Sequence, residues 1–226
     1  MPHRMLRKLT QALANAAEER GTDAAGISYV RNGEVVIYKR PKPAHKLHFN
    51  PPEGTSAVMG HTRMTTQGNE KFNYNNHPFA GLAGNTSFAF AHNGCLWNDK
   101  ELRKEKLIPD THIETDSYAA CQLIETQDKL DFDSLKYMAE AVEDSFTFTV
   151  LEEYNNLYIV KASPSARAAG NFCRSSTVST PAPQPRSAIA RIFPLPRAKS
   201  ARRTLSVPSG KPSAERRKRV PGQRSS

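Results

Sequence analysis

The amino-acid sequence predicts an α+β domain with largely antiparallel strands over residues 1–161, followed by a basic segment over 162–226 that cannot join its core. Three observations lead there. The elements come in a mixed order, without the regular strand-helix repeat of a doubly wound parallel sheet. An Asn-Gly reversal and a strict apolar alternation each mark antiparallel neighbours. The charge is also divided: residues 1–161 carry 18 Lys and Arg against 21 Asp and Glu, whereas 162–226 carry 14 against 1. The net charge of +10 therefore belongs to the tail and does not mark the folding part as a nucleic-acid-binding domain.

Taken in order, Arg4 to Glu19 places Met5, Leu6, Leu9, Ala12, Leu13 and Ala16 at helical spacing, an amphipathic helix that ends at Arg20-Gly21-Thr22-Asp23. Ala25 to Val30 and Glu34 to Lys39 form a hairpin around Asn32-Gly33. Four prolines between Pro41 and Pro52 mark a loop, and Ser56 to His61 is a short strand. Residues 62–78 are rich in Arg, Thr, Gln, Asn and His, so hydrophobicity predicts a long surface loop, a frequent seat of function.

Ser87 to Ala91 returns to strand character and runs into His92-Asn93-Gly94. Asn98 is a candidate N-cap with Glu101 as its capping-box partner, and Thr115 is a candidate cap for a helix over 116–126. A further helix spans Ser134 to Glu143. Phe146, Phe148 and Val150 then alternate, and Leu157 to Val160 supplies the returning strand.

Several of these segments carry groups suited to chemistry. Gly60-His61-Thr62-Arg63, continuing to Thr66 and Gly68, ends a strand with a planar guanidinium fork matched to a carboxylate. An arginine paired with a surface acid would fit equally well. His92-Asn93-Gly94 reads as a turn, or as two converging oxyanion donors, the Asn93 amide and the Gly94 N–H. Glu114-Thr115-Asp116-Ser117 opens a helix, where an acid is favoured by the dipole but can also receive an ammonium group. His61, His77, His92 and His112 lack metal-ligand spacing, and no GxSxG elbow is present, so neither a metal nor any other cofactor is expected.

In their order and spacing these motifs, with Asn76-His77-Pro78-Phe79 and Asn98 with Glu101-Leu102-Arg103, resemble the class II glutamine amidotransferase family over residues 4–161. The resemblance implies an N-terminal-nucleophile hydrolase fold, a four-layer αββα sandwich incomplete here at both ends. It also implies glutamine as substrate, hydrolysed through an N-terminal cysteine to glutamate and ammonia for a separate acceptor. Arg63 would bind the α-carboxylate, Asp116 the α-ammonium, Thr66 would frame the substrate, and Asn93 with Gly94 would form the oxyanion hole. Gln67 departs from a histidine found in several members. The larger departure is the start: Met1-Pro2-His3 leads directly into the helix, where the family has Met-Cys-Gly and a first strand. Neither Cys95, expected to pack in place of a small or aliphatic residue, nor Cys121 replaces that nucleophile, since an internal cysteine has no α-amine. Impaired glutaminase activity is the expectation, with a non-catalytic glutamine-binding module as the alternative. The synthase partner that sets the acceptor is not identifiable.

The tail holds nine of the sixteen prolines, twelve serines and only Phe172 and Phe193 as aromatics. Such a composition is disordered on its own. Arg216-Arg217-Lys218-Arg219 would touch nucleic acid if the tail is native, but the abrupt change after Lys161 favours out-of-frame translation, and a regulatory linker is the least supported reading. Three widely spaced cysteines, Cys95, Cys121 and Cys173, point to a reducing compartment. Without a signal-peptide pattern or a membrane-length apolar run, a cytoplasmic protein is expected.

Overall fold

The computed structural model describes residues 2–105 and 107–162, and the backbone of two short segments, 173–174 and 188–192. The remaining tail, including the basic cluster at 216–219, lies outside the described residues. Helix α1 (His3–Ala16) continues as a 3-10 turn to Arg20. The hairpin β1 (Ala24–Arg31) and β2 (Glu34–Arg40) follows, then β3 (Val58–Arg63). Next come β4 (Phe79–Ala83), β5 (Thr86–Gly94), the short α2 (Asp99–Lys104), α3 (Ser117–Glu125) and α4 (Phe132–Ala141). Strands β6 (Phe146–Glu152), β7 (Leu157–Ala162), β8 (Cys173–Arg174) and β9 (Ala188–Ile192) close the order.

These strands build two sheets, one ordered β2-β1-β3 and the other β4-β5-β6-β7-β9-β8. All pairings are antiparallel except β8 with β9. Period-two alternation divides each strand between two cores. On β5, Phe88 and Phe90 join Phe146, Phe148 and Val150 of β6 under α3 and α4, where Leu123, Ile124, Leu135 and Met138 meet them. Ala89 and Ala91 face the other way, toward Val30 and Met59 of the first sheet. Beyond that sheet, Ala25 and Ile27 pack on Ala14 of α1 and on Leu47 and Phe49. Helix, sheet, sheet and helices are thus stacked as a four-layer αββα sandwich.

The structure corrects several sequence expectations. On α1 the helical period is right but the face is not: Met5, Leu9 and Leu13 are exposed, while Thr10 and Ala14 turn inward. Polar bonds fix that rotation, since Gln11 donates to Ala44 O at 3.2 Å and accepts from Phe49 N at 3.1 Å. Asn98 makes no side-chain cap. Its amide instead donates to Ala141 O and accepts from Glu143 N, each at 2.9 Å, tying the start of α2 to the end of α4. Thr115 does not cap α3 either, because its hydroxyl donates to Asn75 O at 2.8 Å. The capping box that does form, Asp131 with Ser134, opens α4 and was not among those expected. Strand β4 was also missed. Among the described residues no helix is long and apolar enough to cross a membrane.

Candidate active site

Strands β3 and β5 end side by side, one in each sheet, and alternation sorts their side chains. Met59, His61 and Arg63 share the face of β3 that looks at the second sheet, and His61 Nε2 reaches the carbonyl of His92 at 2.8 Å. On β5, Asn93 falls on the face of Ala89 and Ala91, toward β3, while His92 falls on the opposite face, against Phe148 and α3. A cavity of about 510 Å³ opens where these ends meet, lined by Arg63, Thr66, His92, Asn93, Gly94 and Asp116 among others. All five residues predicted from the sequence, Arg63, Thr66, Asn93, Gly94 and Asp116, border it.

The end of β3 is held by the Arg20-Gly21-Thr22-Asp23 segment. A Cβ at Gly21 would lie 2.2 Å from Met64 N and 2.3 Å from Arg63 C, so only glycine permits this approach. Asp23 then accepts from Thr65 N at 2.7 Å, and its own N–H donates to Arg63 O at 3.0 Å. The motif is therefore a clamp on the backbone that carries Arg63.

Arg63 is only 4% exposed. It donates to Asn76 Oδ1 at 2.7 Å, to the carbonyls of Gln67 and Gly68, and to Thr115 Oγ1 at 3.3 Å. Every one of these acceptors is neutral, so the alternative of a surface ion pair is excluded. The guanidinium feels Asp116, Glu70 and Asp23 only at longer range. A buried cation with neutral partners at a cavity wall is ready for an anion.

Of the stretch 62–78, residues 64–74 are exposed or half-buried as expected of a surface loop, but the two ends are not: Thr62 and Arg63 end β3, and Asn75, Asn76 and His77 are buried. The two asparagines bring their own partners, whereas neither ring nitrogen of His77 has a hydrogen-bond partner among the described residues. Asn75 Nδ2 donates to Asn69 O and to Glu114 Oε2, its Oδ1 accepts from Glu114 N, and Asn76 Nδ2 donates to Glu70 O. Gln67 bridges Asp99 Oδ2 and Glu114 O, a structural link rather than a side chain left free in the cavity. Thr66 is exposed at the cavity mouth.

Asp116 is 3% exposed and spends Oδ2 on Leu96 N at 2.6 Å, while Oδ1 accepts from Ser117 Oγ at 3.3 Å. Burial raises its pKa, hydrogen bonds from the Leu96 and Ser117 N–H groups and the Ser117 hydroxyl oppose this, and Asp99 adds to the rise. Asn93 and Gly94 are exposed and are not a turn: they remain in β5, opposite Thr147 and Phe146. Gly94 has φ 148, and a Cβ there would lie 2.6 Å from His92 Nε2 and 2.7 Å from Ser145 O.

Cys95 is exposed at the cavity edge instead of packed, whereas Cys121 is buried in α3 with its thiol pKa pushed well up. The side chain of Cys173 lies outside the described residues. Three of the four histidines weighed as metal ligands in the sequence, His61, His77 and His92, lie together beneath the site; His61 and His77 have centroids 4.2 Å apart. Burial pushes His61 down to about 4 and His92 to about 3, with His77 also well below its ordinary value. Among the described residues no group of three or more His, Cys, Asp or Glu side chains is placed to hold a metal ion.

No family model matches the chain. Curated relatives do. Over 152 residues it is 32% identical to glutamine–fructose-6-phosphate aminotransferase (isomerizing) of Caldanaerobacter subterraneus, covering 64% of this chain and 24% of that one. Over 91 residues it is 37% identical to the enzyme of the same name from Symbiobacterium thermophilum, covering 39% and 14%. A solved glutamine phosphoribosylpyrophosphate amidotransferase from B. subtilis shares the fold, with TM-score 0.55 and 20% identity over 69% of this chain and 33% of that one. The likeness is to glutamine amidotransferases in sequence, and to an N-terminal-nucleophile hydrolase in fold. The chain spans only 14% to 24% of the length of these curated relatives.

Proposed function

We propose that this amidotransferase-type domain binds glutamine and supplies the recognition and charge-stabilising groups of an amide-hydrolysing site. The observation that carries this is the convergence of Arg63, Thr66, Asn93, Gly94 and Asp116 on one cavity. The Arg63 guanidinium takes the α-carboxylate, and Asp116 takes the α-ammonium, which would draw its raised pKa back down. Thr66 closes the mouth over the bound amino acid. The side-chain amide of Asn93 and the N–H of Gly94 stabilise negative charge on the γ-carbonyl oxygen.

Hydrolysis in this family requires an N-terminal cysteine. Its thiolate attacks the γ-carbonyl, its α-amine carries the proton to the leaving ammonia, and water then releases glutamate from the thioester. Among the described residues Cys121 is buried and Cys95 is internal and has no α-amine. Neither described cysteine is therefore placed to be that nucleophile, and what the described residues support is glutamine binding without appreciable turnover, with any ammonia acceptor left to a partner.

The experiment is a glutaminase assay beside calorimetry on the purified chain and on Arg63→Lys and Asp116→Asn. Saturable binding, weakened about tenfold or more by each substitution, with negligible ammonia release is expected. Absent or substitution-insensitive binding would refute the recognition role; robust ammonia release would refute the absence of turnover.

A further inference from the structure

The alternation that turns Asn93 toward the first sheet turns His92 away from it, onto the start of α3. There His92 Nδ1 lies 2.8 Å from Ser117 Oγ, and that hydroxyl donates to Asp116 Oδ1 at 3.3 Å. A hydroxyl that gives its proton to a carboxylate offers a lone pair to its other neighbour, and the tautomer consistent with that pattern has the ring proton on Nδ1, donating to Ser117. Nε2 is left as a bare acceptor. It is buried and has no hydrogen-bond partner among the described residues. It faces Gly94, since a Cβ added there would lie 2.6 Å from it. The ring is further fixed by Phe148, with centroids 4.6 Å apart, and the residue's carbonyl by His61 Nε2 at 2.8 Å.

We propose that His92 is a positioning residue for the amide-hydrolysing site: held by Ser117, its imidazole sets where Gly94 and Asn93 present their donors and links them to Asp116. This rests on the glutamine-binding reading above. The two ends of the site, which handle the α-ammonium and the γ-carbonyl, are thereby joined through one hydroxyl and one ring. Asp116 orients Ser117, Ser117 fixes tautomer and ring plane, and the ring edge is the surface against which Gly94 rests. Buried as it is, the ring stays neutral across the physiological range, so it acts by shape and orientation and not by proton transfer. The link also gives Gly94 a second reason to be glycine: a side chain would displace the ring that positions it.

The test is nuclear magnetic resonance on the ¹⁵N-labelled full chain, with Ser117→Ala, Ser117→Thr and calorimetric titration of L-glutamate, whose γ-carboxylate probes the oxyanion donors. Wild type is expected to show His92 as the Nδ1–H tautomer. Ser117→Ala should admit the Nε2–H tautomer, move the Gly94 amide resonance and weaken L-glutamate about fivefold to tenfold. Ser117→Thr, which keeps the hydroxyl, should restore all three. An Nε2–H ring in wild type, a measurement that needs no variant, would overturn the proposal. So would a Ser117→Ala protein with unchanged tautomer and Gly94 resonance. If L-glutamate does not bind wild type, the substrate reading fails, while the tautomer and the Gly94 resonance still decide the positioning role.

Discussion

Asn76 accepts a hydrogen bond from Arg63 at 2.7 Å, side chain to side chain, with both residues buried. The other face of the same amide donates to Glu70 O at 2.8 Å, and its backbone carbonyl accepts from Lys39 Nζ. One asparagine thus connects the site's cation to the loop that surrounds it. Asn76→Ala removes a neutral acceptor from a buried charge and leaves Glu70 O unpaired. We expect a stability loss of about 2 kcal/mol in denaturant unfolding. Asn76→Asp should behave differently: it offers the guanidinium an anionic partner and so competes with a carboxylate ligand, weakening glutamine binding more than it weakens the fold.

Gly94→Ala tests the tight end of β5. The added methyl meets His92 Nε2 and Ser145 O, and φ 148 disfavours any side chain. A loss of about 1–3 kcal/mol in unfolding free energy is expected, together with loss of glutamate binding. The same substitution at Gly33, where a Cβ meets nothing within 4 Å but φ is 81, should cost only backbone strain and leave binding intact.

The buried histidines set a pH dependence. Their folded pKa values are depressed, to about 4 for His61 and about 3 for His92, so below pH 6.5 the unfolded chain holds more protons than the folded one. Stability that is complete above the ordinary histidine pKa is therefore lost as pH falls from about 6.5 toward 4. Asp116 and Glu125, whose pKa values burial raises, work in the opposite direction and offset part of the loss. Chemical denaturation between pH 7 and 5 should show falling stability with net proton uptake on unfolding, the uptake by His61, His77 and His92 being reduced by release from Asp116 and Glu125. Substitution of His77 by a polar, non-titrating residue such as Asn should flatten this slope.

Most of the site was legible because its parts are sequence-local: strand ends such as Gly60 to Arg63 and His92 to Gly94, and the helix start at Glu114 to Ser117. What sequence could not supply were links between distant segments. Thr115 and Asn98 both look like caps, yet each is taken by a partner far along the chain, Asn75 and the 141–143 turn respectively. Local capping loses there because a long-range partner competes for the same side chain. The end of the 62–78 stretch looked like surface because polarity was equated with solvation, whereas Asn75 and Asn76 are buried with their partners supplied. The face of α1 was misjudged for a related reason, as Gln11 and Thr10, not the leucines, make the inward contacts.

In the proposed reading one cavity recognises both α-groups of glutamine. Calorimetric titration of the full chain with L-glutamine, N-acetyl-L-glutamine and L-glutamine methyl ester tests it most directly. Saturable one-to-one binding of L-glutamine, weakened at least about tenfold when the ammonium is acetylated or the carboxylate esterified, is the predicted result. Equal affinity for all three, or no binding of L-glutamine, would contradict the account.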